Sequence, residues 1–430
     1  MAHDIVIAGG GFAGANAARE LERVLPRQST RLIMVNDVNF LLYTPLLPEA
    51  AAGTLEPRHV VTPLRDILKR TYLRLGAVTG HDHARKVVEL TTHEGEVEEL
   101  PYDQLLVAMG SVSRSLPIPG LDRHAIGFKS LADAIWLRNH LVETLEEANA
   151  SEDPAHRAEL QDFAADAMEN YPRARLQGMR WILVEATDRV LPEIDPSLAD
   201  YALQQLRGRG TDIRLGTTLE EVAPDHVALS TGERIPTRTV VWTAGVVAHP
   251  SMKAMGFDLD ERGRVPVDER MAVPGMEGVF AAGDCAAVPN PEGGLCPPTA
   301  QHAIRQARVA ARNMAANVGV GTPTTFTYRS RGAFVNLGQY KAVAMLGKAM
   351  GGKTMSGFPA WWAARTYHVS QIPGFARKLR AVADWTVGLP FRRDTAEVGS
   401  IGHPAPLTTE IYERGGSHRP IGTEAETGPG

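Results

Sequence analysis

Cysteine is almost missing from this chain: 430 residues hold two, Cys285 and Cys296. A disulfide framework is therefore excluded, and the spacing matches neither a zinc site nor a C-x-x-C redox pair. No uninterrupted apolar run reaches the roughly 18 residues that a membrane-crossing helix needs. An excess of positive charge is also lacking, with 45 Lys and Arg against 50 Asp and Glu and a formal charge of −5. That balance gives no sign of a nucleic-acid surface. The N-terminus enters a strand pattern by Asp4, which leaves no room for a signal peptide. What is present is 43% hydrophobic and 22% charged residues, enough to bury sizeable cores. At roughly 150 residues per domain the length suggests about three domains.

The stretch DIVIAGGGFAGANAARELE joins a β-branched run, Asp4–Ala8, to an Ala-rich helix pattern, Ala13–Leu25, which Pro26 ends. Between them Gly9, Gly11 and Gly14 stand in G-x-G-x-x-G spacing, with Phe12 and Ala13 inside the same turn. A second run, Arg31–Val35, closes a βαβ unit. The order has a physical reason. Gly9 permits the tight turn, Gly11 lets a pyrophosphate approach the backbone, and Gly14 lets helix and strand pack closely. An acidic residue should close the second strand and bind ribose hydroxyls. Asn36 stands there with Asp37 next. Asp37 reads either as sharing that role or as a loop residue.

Further along, Thr62-Pro63 reads as the start of a helix, Leu64–Arg70. The runs Tyr72–Thr79, Lys86–Leu90 and Val97–Leu100 read as a small antiparallel meander, with His81 and His83 in a solvated turn. The strand Gln104–Ala108 ends in Met109-Gly110. A buried strand in Gly278–Asp284 delivers Gly283 and Asp284 to a loop, and a helix beginning at Pro298 carries Ala300 and Gln301 toward the same place.

Together these pieces resemble the flavoproteins with two dinucleotide folds and, within them, the type II NADH dehydrogenases (NADH:quinone oxidoreductases). The segments that carry the resemblance are GGGFAG, NFLLYTPLLPEAAAGTLEP, LLVAMGS, VEATDRVLP, VVWTAGV, GVFAAGDCA, PPTAQHAIRQA and FPAWWAARTYHVSQIPGFARKLR. The resemblance implies FAD along the N-terminal βαβ unit, with Asp284 and Gly283 at its ribityl chain and Thr44-Pro45 near the isoalloxazine. It makes Gln301 and Gln306 the polar groups on the quinone side, although Arg305 replaces a glutamine of the family motif. It implies NADH as electron donor, with NADPH also allowed, a quinone as acceptor, and a homodimer as one open arrangement. No cysteine lies in Asn36–Leu64, which disfavours the disulfide-reductase branch. Cys285 and Cys296 do not look like the pair a sulfide:quinone reductase needs.

A second βαβ unit is expected for NADH, and the chain supplies only part of it. Trp181–Glu185 is a good second strand, and Glu185 is the expected ribose acid. In the first unit the two strands start 27 residues apart, at Asp4 and Arg31. The corresponding stretch here, 152–178, contains no Val, Ile or Thr, and its only glycine is Gly178. Neither a buried strand nor a phosphate loop can be drawn from it. The helix pattern Ala158–Asn170 looks like the back half of a dinucleotide-binding helix, and Glu185, Thr243, Ala244 and Gly245 remain as edges of a site. Either a deletion has damaged the NADH domain, which is the favoured reading, or electrons come from another donor; a catalytically silent flavin-binding protein of the membrane surface is the third alternative.

Residues 359–393 hold Trp361, Trp362, Tyr367, Phe375, Trp385 and Phe391 among Arg365, Arg377, Lys378, Arg380, Arg392 and Arg393, with Asp384 the lone acid. Such a mixture suits either a membrane-interface helix or a helix packed on the core, and the resemblance favours the membrane. Residues 404–430 read as a disordered tail. The expected architecture is α/β: two Rossmann-like dinucleotide-binding domains, the second incomplete, plus a C-terminal membrane-interface region. The boundaries read 1–115 and 244–325 for the FAD domain, 116–243 for the NAD(P)-like domain and 326–403 for the C-terminal domain. The expected location is the cytoplasm, at the inner face of the cell membrane.

Overall fold

A computed structural model of the chain describes residues 3–28, 30–150, 180–338, 340–347 and 351–387. The helix pattern expected at 158–170, the tail expected at 404–430, and Phe391, Arg392 and Arg393 lie outside these residues.

The first unit is built on a five-stranded parallel sheet. Its order runs Val279–Ala281, Gln104–Val107, His3–Ala8, Thr30–Asn36, Tyr72–Leu75. The central strand is covered on both faces, so its apolar run is continuous rather than alternating, and Ile5 through Ala8 are fully buried. The helices Phe12–Val24 and Ala300–Asn317 pack closely on each other. Alanines at 13, 17, 303, 307, 310 and 311 allow this, since small side chains let helix backbones approach.

Three expectations here need correction. Tyr72–Leu75 extends the parallel sheet, and the antiparallel meander is Ala77–Asp82, Val87–Thr91 and Val97–Pro101. The break falls at Gly76, whose φ is +155° and where a Cβ would lie 2.2 Å from Leu90 Cδ1. His81 is half-buried in a strand rather than in a solvated turn. Its ring stacks on Phe257 at 5.0 Å, Nε2 meets the Tyr102 hydroxyl at 2.8 Å, and Nδ1 meets the Met255 carbonyl. The helix after Pro63 is also shorter than expected, Leu64–Ile67.

The second unit is arranged differently. Ile182–Glu185 pairs in parallel with Asp212–Leu215, and Ile126–Gly127 pairs in parallel with Val241–Trp242. Among the described residues these form two separate two-stranded sheets. A cavity of about 360 Å³ is lined by both, through Ile182, Val184 and Glu185 on one side and Val240, Val241 and Trp242 on the other.

In the C-terminal region the antiparallel sheet Gly332–Asn336, Ala342–Leu346, Thr354–Ser356 leads into the helices Gly357–Gln371 and Phe375–Val387. These helices fold back on residues 43–60 through a cluster containing Tyr43, Leu46, Leu55, Ile372 and Trp385. Among the described residues no helix is long and apolar enough to cross a membrane.

Candidate functional site

The carboxyl ends of the first sheet's strands open into a cleft of about 280 Å³. Gly9, Gly11, Phe12 and Ala13 line it from the first turn, and Asn36 and Asp37 from the second strand's end. Thr44, Met109, Gly110, Gly283, Asp284 and Ala300 complete the wall. Segments far apart in sequence converge here because parallel strands all release their loops at one edge.

The three glycines each have a checkable reason. Gly9 has φ +108°, and a Cβ there would lie 2.3 Å from the Ala108 carbonyl oxygen. At Gly14 a Cβ would lie 1.8 Å from the Gly9 oxygen, so this residue sits behind the cleft and sets helix against strand. A Cβ at Gly11 would meet nothing within 4 Å; it would project into open space at the helix N-terminus. That helix has no acidic residue in its first turn and no side-chain cap. Its N-terminal N–H groups and dipole are thus set for an anionic group, and the residues fit a dinucleotide diphosphate.

Asn36 does not present its amide oxygen to the cleft alone. Oδ1 accepts from the Gly10 N–H at 2.7 Å, and Nδ2 donates to the Val38 carbonyl at 2.7 Å. It therefore pins the glycine turn to the second strand, while the Asp37 side chain remains exposed at the rim. Opposite, Asp284 Oδ2 accepts from Ser111 Oγ at 2.7 Å and lies 3.7 Å from Lys129 Nζ. The Gly283 N–H donates to Gln306 Oε1 at 2.9 Å.

Gln306 was expected to face an acceptor; it is 2% exposed and holds the Gly283–Asp284 loop from behind. Gln301 is tied elsewhere, donating to the Gly332 carbonyl at 3.1 Å and accepting from the Tyr328 hydroxyl at 2.6 Å. Arg305 lies over the Tyr328 ring at 4.7 Å and donates to the Gln301 carbonyl. Burial lowers its pKa from the usual arginine value. Pro45 lies in the short turn Thr44–Leu46 and does not line the cleft.

Cys285 and Cys296 are buried, free thiols. Burial pushes the Cys285 thiol up to about 11, so it is a packing group rather than a nucleophile. Among the described residues no cluster of His, Cys, Asp and Glu could hold a metal.

Glu185 lines the other cavity, at the end of its strand, and Gly245 lines neither. Glu185 Oε1 accepts from the Thr187 N–H at 2.8 Å and hydroxyl at 2.9 Å. Gly245, with φ +86°, mirrors Gly110, with φ +71°, after the corresponding strand of the first unit.

Sequence reasoning missed Lys129, which no motif marks, and Glu49, a buried carboxylate on a short helix. Ser111 stood inside the quoted LLVAMGS segment, but only the fold shows that it faces Asp284.

The C-terminal aromatics divide. Trp361 and Trp385 are buried, whereas Trp362 and Phe375 are 62% and 81% exposed. Tyr367 is half-buried and stacks on Phe334 at 5.3 Å. The basic residues are also partly committed: Arg365 lies between Trp361 and Trp385, and Arg377 donates to the Val61 carbonyl.

A family model, pyridine nucleotide-disulphide oxidoreductase, matches residues 3–153 and 162–312. Its interruption falls inside the stretch that lacks a strand pattern. The type II NADH:quinone oxidoreductase Ndh of Mycobacterium tuberculosis is 30% identical over 419 residues, covering 90% of this chain and 88% of that protein. A probable NADH dehydrogenase of Dictyostelium discoideum is 28% identical over 390 residues, covering 84% and 85%. Among solved structures, NDH2 from Plasmodium falciparum in complex with NADH superposes with a TM-score of 0.82 at 15% identity, covering 92% of this chain and all of that one. That likeness concerns the fold. The chain belongs to the pyridine nucleotide-disulphide oxidoreductase family and, within it, to the type II NADH:quinone oxidoreductases.

Proposed function

We propose that this protein is an FAD-dependent oxidoreductase that passes electrons from NADH through the flavin to a quinone. The observation that carries the reading is the cleft where the Gly9–Ala13 turn meets Asp284 and Gly110. FAD, when bound, supplies the redox chemistry that side chains lack. The chain's own residues bind and orient. The Gly11 turn takes the diphosphate, Asp37 the ribose, and Asp284 the ribityl hydroxyls. Ser111 and Lys129 hold the Asp284 carboxylate in place, and Gln306 holds its loop. Residues 1–115 and 244–325 form this flavin domain, 116–243 the nucleotide-facing one, and 326–403 the C-terminal one.

NADH use is weakened on this reading. The second unit keeps the strand that carries Glu185 and the turn that carries Gly245, yet its two sheets are separate among the described residues. The composition of 152–178 favours a second reading, a flavin enzyme with another donor. Quinone is reached at a membrane. The exposed Phe358, Trp362, Phe375, Leu379 and Val387 on the two C-terminal helices form the docking face, at the inner side of the cell membrane.

One experiment addresses the flavin–quinone half directly. The purified protein is reduced anaerobically with stoichiometric dithionite and then mixed with a water-soluble short-chain quinone. Return of the oxidised-flavin absorbance is expected. A colourless protein, or a reduced flavin indifferent to the quinone, contradicts the proposal.

A further inference from the structure

Glu49 is the acidic residue most deeply set in the described chain's contact between its flavin side and its C-terminal helices. It lies on the helix Leu47–Ala51, which follows directly on the turn Thr44–Leu46, and Thr44 lines the flavin cleft. Glu49 is only 9% exposed. A carboxylate so placed is costly unless charge and hydrogen bonds compensate it. The compensation comes from the far end of the chain. Trp385 Nε1 donates to Oε2 at 2.5 Å, Asn336 Nδ2 donates to Oε1 at 3.1 Å, and Arg365 Nη2 lies 3.7 Å from Oε2. The Arg365 guanidinium is in turn held between two indoles, 4.2 Å from Trp361 and 4.4 Å from Trp385.

The contacts on either side point the same way. The Tyr43 hydroxyl meets His368 Nδ1 at 3.1 Å, and the Tyr43 ring meets Phe12 of the glycine turn edge-on at 5.7 Å. Asp384 pairs with His59 and accepts from the Glu56 N–H, while Arg377 donates to the Val61 carbonyl at 2.7 Å. Residues 43–61 are thus a socket for the helices Gly357–Gln371 and Phe375–Val387. Glu49 is the point where both helices and the preceding sheet meet it.

We infer that Glu49 is a positioning residue: with Arg365 and Trp385 it fixes the C-terminal helix pair against the flavin-side turn and so sets how the electron acceptor reaches the flavin. This rests on the flavin–quinone reading above. Glu49 does not line the flavin cleft, so flavin retention is not expected to depend on it.

The test uses the full-length, flavin-loaded protein as wild type, Glu49→Gln, Arg365→Met and the double variant. Each single change removes one member of the Glu49–Arg365 ion pair; the double removes both. Two readouts are taken. Trypsin nicking within Phe375–Val387, at Arg377, Lys378 or Arg380, is expected to be about tenfold faster in each single variant and close to wild type in the double. For the dithionite-reduced protein, the half-saturating concentration of a short-chain quinone is expected to rise about tenfold in Glu49→Gln and to recover in the double. The limiting rate, flavin content and flavin spectrum stay unchanged. Singles that match wild type, or a double as impaired as the singles, overturn the inference. Faster nicking with an unchanged quinone half-saturation also overturns it, since Glu49 is then only structural. If quinone fails to reoxidise wild type, the functional reading falls, and the nicking readout still decides whether Glu49 holds the helices. Should Glu49→Gln not fold, Glu49→Asp keeps the charge, withdraws it by one methylene, and is put through the same two measurements.

Discussion

In the first unit the strand His3–Ala8 lies between Thr30–Asn36 and Gln104–Val107, hydrogen-bonded to both. In the second, among the described residues, Ile182–Glu185 and Val241–Trp242 belong to separate two-stranded sheets and line a common cavity. The consequences show in burial. Met34 and Val35 of the first flanking strand are fully buried, whereas every residue of Ile182–Glu185 is partly exposed. A sheet with its centre in place buries both faces and leaves a rigid turn to hold a diphosphate. Among the described residues the second unit's strands pair only two by two, and Ile182–Glu185 stays partly open along its length. Glu185 ends its strand at that cavity, and Gly245 follows Val241–Trp242 in a turn with φ +86°.

The contrast can be broken most severely at the glycines. Gly14→Val sets side-chain atoms against the Gly9 carbonyl, 1.8 Å from where its Cβ would stand. Retained flavin should fall by more than about 100-fold, with much of the protein misfolded, as read by bound flavin after gel filtration. Gly245→Ala in the second unit meets nothing within 4 Å and carries only the strain of φ +86°. It should cost about 1 kcal/mol in denaturant unfolding and leave flavin bound.

Acid acts next, and on the first unit's side. Burial holds His368, which meets Tyr43, down to about 4, well under the ordinary value of about 6.5. The fold therefore favours the neutral ring. Its stabilising effect is complete above pH of about 6.5 and drains away as the pH falls toward 4, on the order of 3 kcal/mol in all. Urea midpoints measured across this window should fall less steeply in His368→Gln than in wild type. Equal slopes would show that the ring titrates freely in the fold.

A smaller and more pointed comparison uses one substitution in both units. Val35→Phe enters a fully buried position and should destabilise by about 1–3 kcal/mol. Val184→Phe extends into the cavity between the two small sheets and should be neutral within about 0.5 kcal/mol, or stabilising. Equal losses at the two positions would mean that the second sheet is as tightly filled as the first.

Much of this difference was legible in the sequence, because glycine spacing and strand composition answer to backbone geometry. Gly9, Gly11 and Gly14 could be placed from their spacing alone, while the stretch 152–178 lies outside the described residues. Side-chain direction was harder to read. Gln306 lies in a recognisable motif, but which way a helix residue points depends on what packs behind it, and here Gly283 claims its oxygen. Trp361 and Trp385 share a composition with Trp362 and Phe375, yet the socket of residues 43–61 takes Trp385, the antiparallel sheet takes Trp361, and the second pair is left exposed. Glu49 stands inside the quoted NFLLYTPLLPEAAAGTLEP segment, but its role could not be read there, since its partners lie at 336, 365 and 385. The break at Gly76 was visible only as one glycine within an apparently continuous strand run.

The reading that the first unit holds flavin while the second takes NADH only weakly is tested most directly by titrating the flavin-loaded protein anaerobically with NADH and following the flavin absorbance. The expected result is a full complement of flavin, bleached at once by dithionite, with half-reduction by NADH only at concentrations on the order of 1 mM or above. Half-reduction at about 1 μM NADH, as an intact nucleotide site would give, or a protein that retains no flavin, would contradict it.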